Sequence, residues 1–390
     1  MKNNYDIIVV GGGPAGSVAA RYAAEKGVSV LILEKDREIG TPVRCAEGTS
    51  HEGIKDFIDI DPSFIDATIN KFCLVSPEGE RIEISLDQVG YILNRKVFDF
   101  KLAQMAANAG CEIYTKAYVN GLLFDNDKVA GIKVDYMGIQ KEIKAKVVIA
   151  ADGVESRVGR WAGIKTYIDF RDIDSCVQYT ASNVNDINED TLYFHFGQSY
   201  APGGYLWIFP KGGNNANIGL GVSGAAGKKK SALSYLNDFM NKKYPDTAIL
   251  TTVAGGVPCV PTLEKIAAPG IILVGDAARQ TNPLTGGGIA SGMIGGSIGG
   301  KIAAESILNN KPDFLLSYEK AWDDRLGKRH VIFNNLKEGI YNFSDKDFIK
   351  LSKAMSKIPY EKRSIGGLFQ KALMNNPKLL IDVAKLYFTK

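Results

Sequence analysis

Gly11, Gly13 and Gly16 stand at the spacing Gly-x-Gly-x-x-Gly directly after the apolar run Tyr5–Val10. That spacing suits phosphate chemistry. The first glycine permits a tight turn, the second lets the backbone approach a pyrophosphate, and the third lets a helix pack on the strand. A pyrophosphate there accepts backbone N–H bonds at the positive end of the helix dipole. Glu34 lies 23 residues beyond Gly11 and ends the next apolar run, where a carboxylate can bond both ribose hydroxyls. Far downstream, Ile271–Val274 runs into Gly275-Asp276-Ala277-Ala278 and places a second acid at a strand end. Such an acid can accept hydrogen bonds from the ribityl chain of a flavin. Pro283–Ala290 (PLTGGGIA) then begins a glycine-lined helix. Its N-terminus can stabilise negative charge on reduced flavin; the plainer reading is that the glycines only allow close helix packing. The two motifs together favour FAD over NAD.

A third stretch bears on the substrate. In Gly204–Pro210 (GYLWIFP), Tyr205, Trp207 and Phe209 share one face of a strand, because side chains alternate. Aromatics so placed either wall an apolar cavity or fill an ordinary sheet core.

Holding these residues requires a βαβ unit: a strand at 5–10, a helix at 17–26 and a strand at 28–33, opening a parallel sheet with crossover helices. Strands expected at 146–151, before Asp152-Gly153, and at 270–274 complete a Rossmann-like domain gathered from distant segments. The expected fold is α/β with α+β inserts. Residues 1–65, 96–165 and 266–310 form the cofactor domain, and 66–95 with 166–265 an antiparallel β-sheet substrate domain. Residues 311–390 form a helical region. Hairpin-like alternation is expected at 131–136 and 138–143, and strands at 176–183, 191–196, 204–209 and 216–222.

The 390 residues are 45% hydrophobic and 23% charged, which excludes a disordered chain, a collagen-like repeat and a coiled coil. The net charge of +4 is too small to argue for nucleic acid. Residues 311–390 carry 16 Lys/Arg against 9 Asp/Glu, which suits an anionic ligand, a membrane surface or simply a solvated helix face. Pro377–Lys390 reads as an amphipathic helix, able to lie on a membrane, close a lipid tunnel or dock on the protein's own core. Gln280–Gly300 lacks charge, but its eight glycines and Pro283 argue against a membrane span. Five cysteines without a C-x-x-C pair and three histidines argue against a metal site and for a reduced, cytoplasmic protein.

The set Gly11–Gly16 (GGGPAG), Ala150–Arg157 (AADGVESR) and Gly275–Ala278 (GDAA) resembles the FAD-binding pattern of p-hydroxybenzoate-hydroxylase-like flavoproteins. Two further segments resemble the geranylgeranyl reductases, in the form of the archaeal digeranylgeranylglycerophospholipid reductases. One is Pro42–Gly48 (PVRCAEG); the other is Tyr205-x-Trp207-x-Phe209-Pro210 with Gly219-x-Gly221 downstream. One departure is Ala46-Glu47-Gly48, where relatives often carry Cys-Gly-Glu or Cys-Gly-Gly.

The resemblance implies bound FAD, with Ala15 and Glu34 at its adenosine and pyrophosphate part. Arg44, Cys45, Ala46 and Gly48 would run along the isoalloxazine and ribityl region, and Arg95 would reach the pyrophosphate or ribityl chain. The backbone of Val119 would meet the adenine edge, and Asp276, Gly288 and Ile289 would complete the flavin site. It further implies reduction of isolated C=C bonds in the geranylgeranyl chains of an isoprenoid ether lipid. Tyr205 and Trp207 would line the cavity, and Cys45 would donate a proton or shape the cavity, with His51 and Tyr205 as rival acids. Electrons would come from an external donor: ferredoxin, a deazaflavin, NAD(P)H or a membrane quinol. The expected setting is cytoplasmic, with peripheral contact at the inner face of the cell membrane. Rival readings are an FAD-dependent aromatic monooxygenase, a flavin halogenase, a reductase of chlorophyll-type chains, and a non-catalytic lipid-binding or electron-transfer flavoprotein.

Overall fold

The apolar runs that precede the glycine loop and Glu34 are buried on both faces, the pattern of strands inside a covered parallel sheet. The computed structural model describes residues 1–341 and 343–373, apart from the side chains of Arg171, Phe369 and Leu373. The helix expected over 377–390 lies outside the described residues.

In chain order the strands begin with β1 (Asn4–Val10), β2 (Val30–Leu33), β3 (Gly48–Ser50), β4 (Ile65–Val75) and β5 (Arg81–Leu93). Next come β6 (Glu112–Tyr114), β7 (Ala117–Asp125), β8 (Lys128–Tyr136), β9 (Ile139–Ala150), β10 (Asp174–Ser182) and β11 (Thr191–His195). The last are β12 (Tyr205–Pro210), β13 (Asn215–Ser223), β14 (Ala248–Val257), β15 (Ala267–Ala268) and β16 (Ile271–Leu273). The longer helices are α1 (Pro14–Ala24), α2 (Arg95–Asn108), α3 (Ala232–Lys243), α4 (Ile289–Leu308), α5 (Lys328–Tyr341), α6 (Asp345–Ser356) and α7 (Ile365–Leu373). No helix among the described residues is long and apolar enough to cross a membrane.

One sheet has the order β15-β16-β9-β1-β2-β6, with β8 on β9 and β7 on β8. Its register gathers the cofactor motifs. Val10 lies opposite Leu33 on one side and Ala150 on the other, and Ala150 opposite Leu273. The parallel strands therefore end together, and Gly11, Glu34, Asp152 and Asp276 follow from one edge, where ligands of open α/β sheets bind.

The second sheet has the order β14-β10-β13-β12-β11-β4-β5-β3. One face packs on α3 through residues such as Leu206, Ile208 and Leu220. The opposite face carries Phe194, Tyr205, Trp207 and Phe209, with Ala46 of the Pro42–Gly48 loop packed against it. Further along the sheet, Leu351 and Met355 of α6 and Leu368 of α7 cover Leu74, Ile82 and Ile84.

Three expectations need correction. This sheet is mixed rather than antiparallel, since β11 runs parallel to β4. The chain reaches β11 only after the intervening cofactor segments, a long crossover of the kind parallel pairing requires. The strands expected at 138–143 and 146–151 are one strand, β9. Its first half pairs antiparallel with β8 and its second half parallel with β1, because no glycine or proline interrupts it. Helix α1 begins at Pro14 rather than at residue 17, since proline suits a first helical position.

The glycines of α4 do two jobs. Its N-terminus faces the cofactor edge, whereas Gly296 and Gly300 let α1 approach: a Cβ there would lie 2.2 Å from the Ala15 carbonyl and 2.1 Å from that of Ala19. Gly296→Val is expected to cost about 1–3 kcal/mol by overpacking, read as a lower melting temperature and weaker retention of cofactor.

Candidate active site

The loop after β1 closes tightly behind and opens in front. A Cβ at Gly11 would lie 2.3 Å from the Ala151 carbonyl and one at Gly16 2.0 Å from that of Gly11, whereas one at Gly13 would meet nothing within 4 Å. Gly13 caps α1, whose first-turn N–H groups, those of Ala15 and Gly16, have no intrahelical acceptor. Glu34 is tied to this loop: its Oε2 accepts the Gly12 N–H at 2.8 Å and its Oε1 that of Asp36 at 2.9 Å. The Ala117 N–H donates to the Glu34 carbonyl at 2.8 Å, which brings β7 and buried Val119 beside the acid. Asp152 Oδ2 accepts the Val158 N–H at 2.9 Å, while its buried Oδ1 has no protein partner. An open helix N-terminus, a carboxylate at the strand end beside it and a buried acceptor still to be satisfied fit a dinucleotide cofactor.

The second wall is Gly275–Ala278 with the start of α4. Burial raises the Asp276 carboxyl, opposed by the Thr281 hydroxyl, which donates to Oδ1 at 2.7 Å, and by the Arg95 charge. Arg95 forms a two-pronged ion pair with Asp99, both contacts 2.7 Å, and its charge also acts on Cys45 and Glu47. Arg95, Cys45 and Asp276 thus converge. Arg44 of the same loop as Cys45 is exposed.

The Pro42–Gly48 loop spans from cofactor edge to aromatic face. The Cys45 carbonyl accepts Gln178 Nε2 at 3.0 Å, and Gln178 Oε1 accepts the Trp207 indole N–H at 2.9 Å. A Cβ at Gly48 would touch Phe209 at 3.2 Å. Gly219 lies under the Trp207 ring, where a Cβ would come within 2.5 Å of it. Gly219 therefore leaves room for the indole over β13, whereas a Cβ at Gly221 would meet Cys176 Sγ at 3.0 Å. The Tyr205 hydroxyl donates to the Thr285 carbonyl just before α4, and burial holds that phenol protonated well beyond the usual range. Phe194 lies 5.3 Å from Tyr205 and 5.4 Å from Phe209, ring centre to ring centre. Phe196 continues the aromatic run, 6.0 Å from Tyr205 and 5.6 Å from Phe348 of α6. His51 pairs with the Tyr91 hydroxyl at 3.0 Å.

The Cys45 Sγ accepts the Glu47 N–H at 3.2 Å, and burial pushes its thiol up, against the pull of Arg95. Since a raised pKa keeps the proton on sulfur at neutral pH, alkylation of Cys45 by iodoacetamide is expected to accelerate only above the free-thiol value of about 8.5. A rate already maximal at neutral pH would contradict this.

Gln178, Asn217, Lys211 and Thr281 also belong to the site, and no sequence motif points to them. Gln178 carries a weak signal, a polar side chain on the same face of β10 as Cys176, with apolar Val177 and Tyr179 on the other.

The family model described as FAD dependent oxidoreductase matches residues 6–199, and that described as Geranylgeranyl reductase catalytic domain matches residues 172–257. Digeranylgeranylglycerophospholipid reductase 2 of Methanococcoides burtonii is 44% identical, over 99% of this chain and 97% of its own. The crystal structure of a geranylgeranyl bacteriochlorophyll reductase-like protein from Thermoplasma acidophilum superposes with a TM-score of 0.92 at 36% identity, covering 98% of this chain and 99% of that one. A flavin-dependent brominase, with a TM-score of 0.74 at 17% identity over 96% of this chain and 100% of its own, shares the fold alone. With the cofactor edge, the aromatic face and these likenesses together, the chain belongs to the geranylgeranyl reductase family of FAD-dependent oxidoreductases.

Proposed function

We propose that the protein saturates isolated C=C bonds in the geranylgeranyl chains of digeranylgeranylglycerophospholipid, using FAD, in ether-lipid synthesis. The observation that carries this reading is the Trp207–Gln178–Cys45 bridge, which fixes the cofactor loop against an aromatic wall. When bound, reduced FAD would supply the hydride chemistry for such an alkene, and the chain would have to supply the proton for the second carbon.

The chain's own residues do the rest. The first turns of α1 and α4 and the acids Glu34 and Asp276 bind the cofactor, with Ala15, Val119, Gly288 and Ile289 lining it. An unactivated alkene is a poor hydride acceptor, so alignment and exclusion of water matter most. Phe194, Tyr205, Trp207 and Phe209 provide the apolar wall, offsetting extraction of the lipid chain from a bilayer at about 0.8 kcal/mol per CH₂. Cys45 Sγ is the group we assign to hold the proton, since burial keeps it neutral and its hydrogen bond uses a sulfur lone pair rather than the S–H.

An external carrier or NAD(P)H supplies the electrons. The excess of Lys/Arg over residues 311–390 supports peripheral contact with an anionic membrane face. The test is incubation of the holoprotein with a chemical reductant and digeranylgeranylglycerophospholipid without oxygen. The lipid is expected to gain two hydrogens per bond reduced. Unchanged lipid, with an aromatic substrate oxidised or halogenated once oxygen is admitted, would replace this reading.

A further inference from the structure

Glu47 is 5% exposed and sits in the left-handed backbone region, at φ +72°, where a non-glycine residue stays only if its surroundings hold it. Four elements hold it here. Its Oε1 accepts the Arg95 N–H at the start of α2 at 3.2 Å, and its Oε2 accepts Asn217 Nδ2 of β13 at 2.6 Å. The Lys211 ammonium, directly after β12, pairs with the same Oε2. The Glu47 carbonyl accepts the Leu93 N–H of β5 at 2.9 Å. Lys211 is itself fixed by Asp66 Oδ2 at 2.6 Å and the Leu93 carbonyl at 3.4 Å. Asn217 is oriented by the Thr180 hydroxyl, which donates to its Oδ1 at 2.8 Å, and its Nδ2 also reaches the Ala46 carbonyl at 3.4 Å.

The tie falls next to the proposed reacting centre. The Glu47 N–H is the one that meets Cys45 Sγ, and the Cys45 carbonyl is the one bound by Gln178. If the Glu47 backbone left the left-handed region, that N–H would turn from the sulfur and the Cys45 and Ala46 carbonyls would leave Gln178 and Asn217. The cation that prevents this follows directly on the strand that carries Trp207, one residue past Pro210.

We propose that the buried Glu47–Lys211 pair is a positioning latch: it locks the Cys45–Ala46 backbone of the cofactor loop to the substrate sheet, and so sets where the Cys45 thiol stands relative to the aromatic wall. Removing one partner of a buried pair leaves the other charge uncompensated, so the loop is expected to open locally.

The experiment compares Lys211→Met, Lys211→Arg and wild-type protein, each as the FAD-loaded holoprotein. It reads iodoacetamide labelling of each cysteine by peptide mass spectrometry, with flavin absorbance, melting temperature, and kcat and KM for lipid. In Lys211→Met, Cys45 is expected to label about tenfold faster, by local opening, with Cys73 and Cys111 unchanged and flavin retained. The kcat falls more than KM rises, and Lys211→Arg stays near wild type. An unchanged Cys45 rate in folded, yellow Lys211→Met would overturn the latch, as would equal acceleration at Cys73 and Cys111, the mark of general loosening. Should Lys211→Met not fold, Asn217→Ser takes its place: selective acceleration at Cys45 supports the latch, and an unchanged or uniform rate overturns it. The kinetic arm rests on the reductase reading and the labelling arm does not. Fast labelling of Cys45 in a protein that reduces no lipid would leave the latch standing and remove that reading.

Discussion

Gly13→Glu is expected to fold and to purify without flavin colour. The backbone at Gly13 has φ −69° and ψ −178°, an extended conformation open to any residue, and a Cβ there meets nothing within 4 Å. The protein itself therefore tolerates the substitution. A carboxylate at the α1 N-terminus even favours the helix, by about 0.3–1 kcal/mol, so the melting temperature should match or exceed that of flavin-stripped wild type. What it removes is space and charge balance for a pyrophosphate, since two anions then compete for the same N–H groups. A hundredfold weaker FAD affinity, about 2.7 kcal/mol, is a lower bound for that conflict. Flavin absorbance per protein and the melting curve check both halves. A yellow Gly13→Glu with one flavin per chain would place the cofactor elsewhere.

Trp207→Ala should do the reverse, keeping flavin and losing turnover. The indole is part of the wall and holds Gln178 through its N–H, but Gln178 Nε2 bonds Cys45 independently, so the cofactor loop keeps its anchor. Truncating a buried tryptophan costs roughly 3–5 kcal/mol where the space cannot collapse. Separately from that stability cost, losing the wall that aligns the alkene is expected to lower kcat/KM about 10²-fold. Trp207→Phe separates the two roles. It keeps a ring over Gly219 and leaves only Gln178 Oε1 without its donor, which calls for about a tenfold loss. Gly219→Ala, with its Cβ driven against the ring and the Val177 carbonyl, should lower turnover without removing any aromatic atom. If Trp207→Ala loses flavin in parallel with activity, wall and cofactor site are not separate.

The parts of the site that are legible in the sequence are those built from short stretches of chain. Gly11–Gly16, Glu34 and Asp276 each follow a strand whose apolar run and polar end lie within a few residues, and the parallel register then brings them to one edge. The alternation of Tyr205, Trp207 and Phe209 is equally local. The clamp around Cys45 is not legible, because Gln178 lies 133 residues from Cys45 and Asn217 lies 170 from Glu47. Their meeting depends on which strands pair and in what register. The parallel β11–β4 contact is hidden for the same reason. The glycines of α4 show a different limit: one composition serves a cofactor-facing N-terminus and a tight packing seam, and only the facing helix distinguishes them. Glu47 lies in the Ala46–Gly48 segment whose departure from the family loop pattern is visible in the sequence, yet its partners come from strands far away along the chain.

The central claim is that electrons pass from bound flavin to an isolated alkene in the space walled by Trp207. An anaerobic single-turnover measurement tests it most directly. The holoprotein is reduced with dithionite, freed of excess reductant and mixed with digeranylgeranylglycerophospholipid, while flavin absorbance and lipid mass are followed together. Flavin reoxidation with two hydrogens gained by the lipid per flavin is the predicted result. Flavin that stays reduced beside unchanged lipid, and reoxidises only when oxygen and an aromatic substrate are admitted, would contradict it.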